Sequence, residues 1–257
     1  MIANYHTHTA RCRHAAGTDE AYVRCALQAG LHTLGFSDHT PYPFPGSYYS
    51  TMRMYPGEFA GYAASIRRLK ADYADRLDIH LGVEAEYYPA HFEDLLALLR
   101  TEGTEYMILG QHWLDNEQDA LSNGRVTDSE EHLLRYCDQT IRAMQTELFT
   151  YFAHPDMLCF RGSDDFFQEQ ITRLCLAAKE CGVPLEINLL GLRGGRHYPD
   201  ERFWQIVGQV GNDVILGCDA HNPEDLLDTA AVDKACQIVE RCGLHLVHTV
   251  PLRSIRK

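Results

Sequence analysis

The feature that most constrains the fold is a repeated pairing: a short apolar run that closes on a histidine or an acid, then a stretch with helical spacing. Residues 33–37 (TLGFS) lead into Asp38-His39, 79–83 (IHLGV) into Glu84, and 106–110 (YMILG) into Gln111-His112. Further on, 149–153 (FTYFA) lead into His154, 184–188 (PLEIN) into a loop at 192–196, and 214–218 (VILGC) into Asp219-Ala220-His221. Helices are expected at 19–29, 58–74, 91–100, 129–147, 165–181, 200–210 and 223–241, with a first strand at the N-terminus and a last one at 244–250. Strands alternating with helices in this way predict an all-parallel sheet, either closed as a barrel or open and doubly wound.

The N-terminal strand should end in Tyr5-His6-Thr7-His8-Thr9, with His14 six residues beyond. Side chains alternate along an extended segment, so His6 and His8 share a side and form a chelating pair. In a barrel, the residues at the C-terminal ends of strands point into one mouth. His6, His8, His39, Glu84, His112, His154, Asp219 and His221 all fall within a residue or two of an expected strand end, and His14 lies just past one. Seven of the fourteen histidines therefore converge on one rim. An open sheet would spread them along an edge, so the ligand set favours the closed α/β form. His32, His80, His91, His132, His245 and His248 read as surface or core histidines, and His197 is left open.

Imidazoles with carboxylates suit Zn, Fe, Mn or similar divalent first-row ions. The nine cysteines are odd in number, scattered and free of any CxxC, which disfavours a disulfide framework and a zinc-thiolate site alike. Seven histidines with Glu84 and Asp219 exceed the needs of one ion, so two or three are expected, with a carboxylate bridging. Such a centre lowers the pKa of a bridging water, orients substrate and neutralises charge on a phosphoryl or acyl group.

A chain of 257 residues without a linker or low-complexity segment is read as one domain, 1–257. The net charge of −13 argues against a large nucleic-acid or anionic-membrane surface. It leaves room for a small phosphorylated substrate, because clustered metal ions reverse the local field. There is no basic segment ahead of an apolar run at the N-terminus and no apolar run of membrane-spanning length, so a cytoplasmic protein is expected. Nothing in the sequence speaks to oligomeric state.

The ordered set His6-x-His8, His14, Asp38-His39, Glu84, His112, His154 and Asp219-x-His221 resembles the polymerase and histidinol phosphatase (PHP) superfamily of metal-dependent phosphoesterases. Within it the chain looks most like the PHP-type histidinol-phosphate phosphatases, on Cys12-x-His14, the segment GVEAEY from Gly82, Gln111-His112-Trp113-Leu114, and Ile187-Asn188-x-x-Gly191-x-Arg193 followed by Tyr198-Pro199. The resemblance implies a distorted (β/α)7 TIM-like barrel with a trinuclear centre: His6, His8, Glu84 and Asp219 on one ion, Glu84, His112 and His154 on a second, His14, His39 and His221 on a third. It implies that Arg193 meets the phosphate, chemically apt for a fixed bidentate donor. Arg161 and His197 are further substrate-side candidates, and Asp38 either supports a ligand or caps a loop. The reaction implied is attack of a bridging hydroxide on L-histidinol phosphate, giving histidinol and phosphate in histidine biosynthesis.

Other readings stay open at this stage. A PHP phosphoesterase acting on nucleotides, short oligonucleotides or another small metabolite would use the same ligands. Amidohydrolase barrels also begin with HxH, but they usually add a lysine at a middle strand end, where this chain has Glu84. A non-catalytic metal-binding PHP module is the alternative from another class, and the intact ligand set speaks against it.

Overall fold

The computed structural model describes residues 1–118 and 122–255. Part of the expected polar loop at 115–128 thus lies outside the described residues. Each apolar run becomes a strand: β1 (Ala3–Asn4), β2 (Thr33–His39), β3 (Asp78–Ala85), β4 (Tyr106–Leu109), β5 (Phe149–Phe152), β6 (Leu185–Asn188), β7 (Asp213–Gly217) and β8 (His245–Leu246). The helices are α1 (Asp19–Gln28), α2 (Phe59–Asp72), α3 (Phe92–Thr101), α4 (Glu130–Gln145), α5 (Asp164–Glu180), α6 (Leu189–Gly194), α7 (Glu201–Val210) and α8 (Thr229–Cys242). All strand pairs are parallel and follow chain order. Parallel neighbours require helical crossovers, and the periodicities supply them.

The curled sheet closes at the end where the expected ligands lie. Thr7, past β1, forms a parallel bridge with Ala220, past β7; the His8 amide donates to the Ala220 carbonyl at 2.9 Å. Asn4 strengthens the seam by accepting the Cys218 amide at 2.9 Å. At the other end β8 pairs only with Asp213 and Val214 of β7. The result is a distorted TIM-like barrel of seven β/α units with a two-residue eighth strand.

Several elements differ from the sequence reading, each for a local reason. The first strand stops at Asn4, and the i, i+2 geometry of His6 and His8 is held by the Thr7–Ala220 bridge instead of a full ladder. The expected helix at 223–241 is divided because the Asp228 side chain accepts the Ala231 amide and starts α8 afresh after a 3-10 turn, Pro223–Leu227. The loop expected at 192–196 is partly helical: Asn188 caps α6 by accepting the Gly191 amide, and Gly195, at φ +60°, ends it. The last strand is two residues long.

Most of the core lies between the sheet and its helices, but a second cluster fills the barrel. It contains Ala3, Tyr5, Tyr106, Ile108, Tyr151, Ala153, Ile215 and Val250. The Tyr106 hydroxyl donates to the Tyr5 carbonyl at 2.8 Å, and its ring occupies space that a Cβ at Gly82 would take. These buried rings form a floor beneath the C-terminal mouth.

Candidate metal centre

The strand ends place Glu84 in the middle of the mouth. Its Oε1 lies 2.8 Å from His154 Nε2, 3.5 Å from His112 Nε2 and 3.7 Å from His6 Nε2; its Oε2 lies 3.0 Å from His39 Nδ1 and 3.5 Å from His8 Nε2. Asp219 Oδ1 lies 3.1 Å from His8 Nε2, 3.5 Å from His6 Nε2 and 3.3 Å from His221 Nδ1. The rings of His14 and His221 stack at 4.8 Å, with His39 5.3 Å from His14. Ligands held about 2.0–2.1 Å from a tetrahedral ion stand roughly 3.3 Å apart, so these separations suit donors grouped around ions. His6, His8 and Asp219 form one such group, His6, Glu84 and His154 another, and His14, His39 and His221 a third.

The hydrogen-bond accounting points the same way. His8 Nδ1, His39 Nδ1, His154 Nδ1, Glu84 Oε2 and Asp219 Oδ1 are buried and make no hydrogen bond of good geometry, although charged neighbours lie close to most of them. Orphaned buried polar atoms are costly, and a cluster of them marks a place built for something else. By contrast, the outward nitrogens of three rings are pinned: His6 Nδ1 to Glu186 (2.8 Å), His112 Nδ1 to Glu86 (2.9 Å), and His14 Nδ1 to the carbonyl of Cys12 (2.8 Å). Such bonds fix the tautomer and orientation of a coordinating imidazole. Asp38 accepts from the Thr9 hydroxyl and the His39 amide while facing His8 Nδ1 at 3.5 Å, a supporting position.

Backbone and neighbours make room for this cluster. His154 and Asp219 sit at φ +34° and +47°, a left-handed conformation that costs about 1–3 kcal/mol for such residues and turns both side chains inward. Glu84 leans across Gly110 of the neighbouring strand end, where a Cβ would overlap its Oε1; Glu186 leans likewise across Gly217. We predict that Gly110→Ala folds with a penalty of about 1–3 kcal/mol yet loses metal and activity, because the methyl displaces Glu84. Metal content measured beside thermal stability checks this, and undiminished metal binding would refute it.

Electrostatics favour cations here. Burial would raise the Glu84 carboxyl, but the imidazoles of His112, His39 and His6 outweigh it and hold the group well below its usual range. Asp219 is likewise held down, by His6 and His8 against burial. Burial opposes charging of His6, yet Glu186, Asp219 and Glu84 lift it to about 10. Burial and the neighbouring His8 push His221 down to about 3, and burial also pushes His39 well down. Three carboxylates close together thus call for positive charge that these imidazoles cannot all carry.

A family model described as PHP domain matches residues 4–189. The chain belongs to the PHP domain family. A probable histidinol-phosphatase of Deinococcus radiodurans is 29% identical over 237 residues, 88% of each chain; the histidinol-phosphatase of Bacillus subtilis is 25% identical over 86% of this chain and 94% of its own. A crystal structure of the histidinol phosphate phosphatase of Lactococcus lactis, complexed with zinc, L-histidinol and phosphate, superposes with a TM-score of 0.72 at 19% identity, covering 100% of this chain and 98% of that one. At that identity the superposition speaks for the fold.

In this PHP domain the nine ligand candidates meet, Arg193 packs against the turn that carries two of them, and Arg161 and His197 lie farther out. Arg193 is drawn beneath the site: Nη2 donates to the Cys218 carbonyl at 3.2 Å and Nε faces Asp225 at 3.2 Å, so it braces the turn that carries Asp219 and His221. Its Nη1 is buried without a hydrogen-bond partner, and Arg193 is not among the residues that line the cavity. Arg161 is exposed and faces Asp200 at 3.5 Å, and His197 Nε2 is bound to the Met157 carbonyl at 2.8 Å; neither lines the cavity. The arginine on the cavity wall is Arg196, whose Nη1 donates to the Tyr198 hydroxyl at 2.6 Å. Sequence reasoning also missed Glu186, which binds His6, and underused Asn188, which donates to Glu186 at 2.8 Å and to Asp219 at 3.0 Å. An acid inside an apolar strand, Leu185–Asn188, was the available signal for Glu186. Among the described residues no helix is long and apolar enough to cross a membrane.

Proposed function

We propose that the chain is a metal-dependent phosphomonoesterase that hydrolyses L-histidinol phosphate to L-histidinol and inorganic phosphate. The observation that carries the chemistry is the convergence of orphaned imidazole and carboxylate atoms beside a cavity of about 510 Å³ that also exposes one arginine. That volume lies within the ~300–1,000 Å³ usual for small ligands. The substrate is taken from the relatives, the histidinol-phosphatase of Bacillus subtilis and the probable one of Deinococcus radiodurans. Three divalent ions would be held, one each by the groups around Asp219, Glu84 and His14.

Bound there, such ions would neutralise phosphoryl charge and activate water. The protein's own contribution is positioning. Glu186 and Glu86 keep protons on the outward nitrogens of His6 and His112, leaving Nε2 of each free to coordinate. Arg196 takes the non-bridging phosphate oxygens from the wall, and Trp113, Met52 and Met157 supply apolar surface for an imidazole ring. The tyrosine floor excludes water from below.

The direct test is phosphate release from histidinol phosphate beside a nucleotide panel, with Zn, Mn or Fe supplied. Preference for a nucleotide by tenfold or more would overturn the substrate. For Arg196→Gln we expect kcat/KM to fall roughly 10- to 100-fold, the value of one or two charge-assisted hydrogen bonds, with metal content unchanged. An unaltered kcat/KM would remove Arg196 from the anion site.

A further inference from the structure

Arg53 is 2% exposed, although it comes from the long connection between β2 and α2. Its fork is fully engaged. Nε donates to Glu117 Oε2 at 2.8 Å, Nη2 and Nη1 clasp the two oxygens of Glu86 at 3.0 and 3.2 Å, and Nη1 also reaches the Thr40 carbonyl at 3.0 Å. Glu86 and Glu117 are themselves buried. Glu86 Oε1 is the atom 2.9 Å from His112 Nδ1, and Tyr48 donates to Glu117 Oε1 at 2.9 Å. No step described above uses this arginine.

A buried guanidinium is retained only with good partners, and its planar fork fixes their geometry in a way an ammonium does not. Here it joins three successive strand-end segments: its own loop, the end of β3 through Glu86, and the loop after β4 through Glu117. The first and third furnish cavity wall, Met52 next to Arg53, and Trp113 and Ser122 in the same connection as Glu117. Without the guanidinium, the two buried carboxylates it clasps would lose the fork that fixes their geometry, and a Glu86 that swings out releases the His112 ring.

We propose that Arg53 is a positioning residue that acts at two places: it holds Glu86 against His112 Nδ1, so that Nε2 stays turned to Glu84, and it rivets the Met52 and Trp113 walls of the substrate cavity. This rests on the metal-site reading above and adds to it a residue that is not itself a ligand.

The test uses the full chain, loaded with Zn or Mn alone, with ion affinity measured by chelator competition and steady-state kinetics measured separately. Arg53→Met is expected to weaken one ion by roughly 10- to 100-fold, the usual cost of losing an outer-shell partner, while the other ions stay bound. Glu117→Gln cuts only the loop side, so ion affinity holds and KM rises. Arg53→Lys keeps the charge without the fork and should leave the ion weakened; it carries the comparison if the Met variant does not fold. In Arg53→Ala, added guanidinium at millimolar concentration should restore part of the lost affinity. Unchanged ion affinity in both Arg53→Met and Arg53→Lys overturns the proposal, as does uniform loss of every ion without guanidinium rescue. Failure of the wild type on histidinol phosphate would sink the substrate reading, and the ion measurements would still judge Arg53.

Discussion

Glu84→Ala is expected to abolish turnover, by roughly 10²–10³-fold or more, while the protein remains folded. The carboxylate faces five imidazoles from four strand ends at 2.8–3.7 Å, so its removal takes a ligand from two donor groups, His6–Glu84–His154 and His8–His39–Glu84. Preorganised electrostatic groups at a transition state are worth at least this much. The fold survives because Glu84 lies above the tyrosine floor and outside the apolar layers that hold the helices to the sheet. Metal content should fall along with activity, measured on the same sample after confirming an unchanged circular dichroism spectrum. Full activity in this variant would refute the assignment.

Removing the metals should abolish activity reversibly and lower thermal stability, with a pH dependence of definite sign. A ligand present at 1,000 times its Kd stabilises by about 4.1 kcal/mol. At roughly 2–4 °C per kcal/mol for a chain of this size, the melting temperature falls by roughly 8–16 °C. In the metal-free protein, His6 is lifted from the ordinary 6.5 to about 10, against its burial, by Glu186, Asp219 and Glu84. A raised folded-state pKa contributes stability that is complete below about 6.5 and lost as pH rises through about 10. Coordination must displace that proton, so ion affinity climbs over the same window, by about tenfold per unit for one proton. The gap in melting temperature between loaded and metal-free protein should therefore widen from pH 6.5 to 9. A gap that stays level or narrows would contradict the ligand role of His6.

Much of this was legible because parallel β/α units put strand ends on one rim, so position along the chain stood in for position in space. His39, Glu84, His112, His154 and Asp219 could be located by counting to the end of an apolar run. The outer partners could not. His6 and Glu186 are 180 residues apart, and nothing in either neighbourhood announces the other. Arg53 sits in a stretch punctuated by proline and tyrosine, whose loop character hid a buried guanidinium. Arg193 and Arg196 lie three residues apart, and which one reaches the cavity depends on the Asn188 cap and the turn at Gly195. Gly110 and Gly217 read as ordinary strand-end glycines until the carboxylates that lean over them are seen.

The most direct measurement is anomalous diffraction from crystals of the protein loaded with Zn or Mn and soaked in phosphate. The expected map has adjacent ion peaks flanking Glu84, one within coordinating reach of Asp219 and another near His14, His39 and His221, with phosphate between the ions and Arg196. Ions found only away from Glu84, or a phosphate held at Arg161 with none near Arg196, would contradict it.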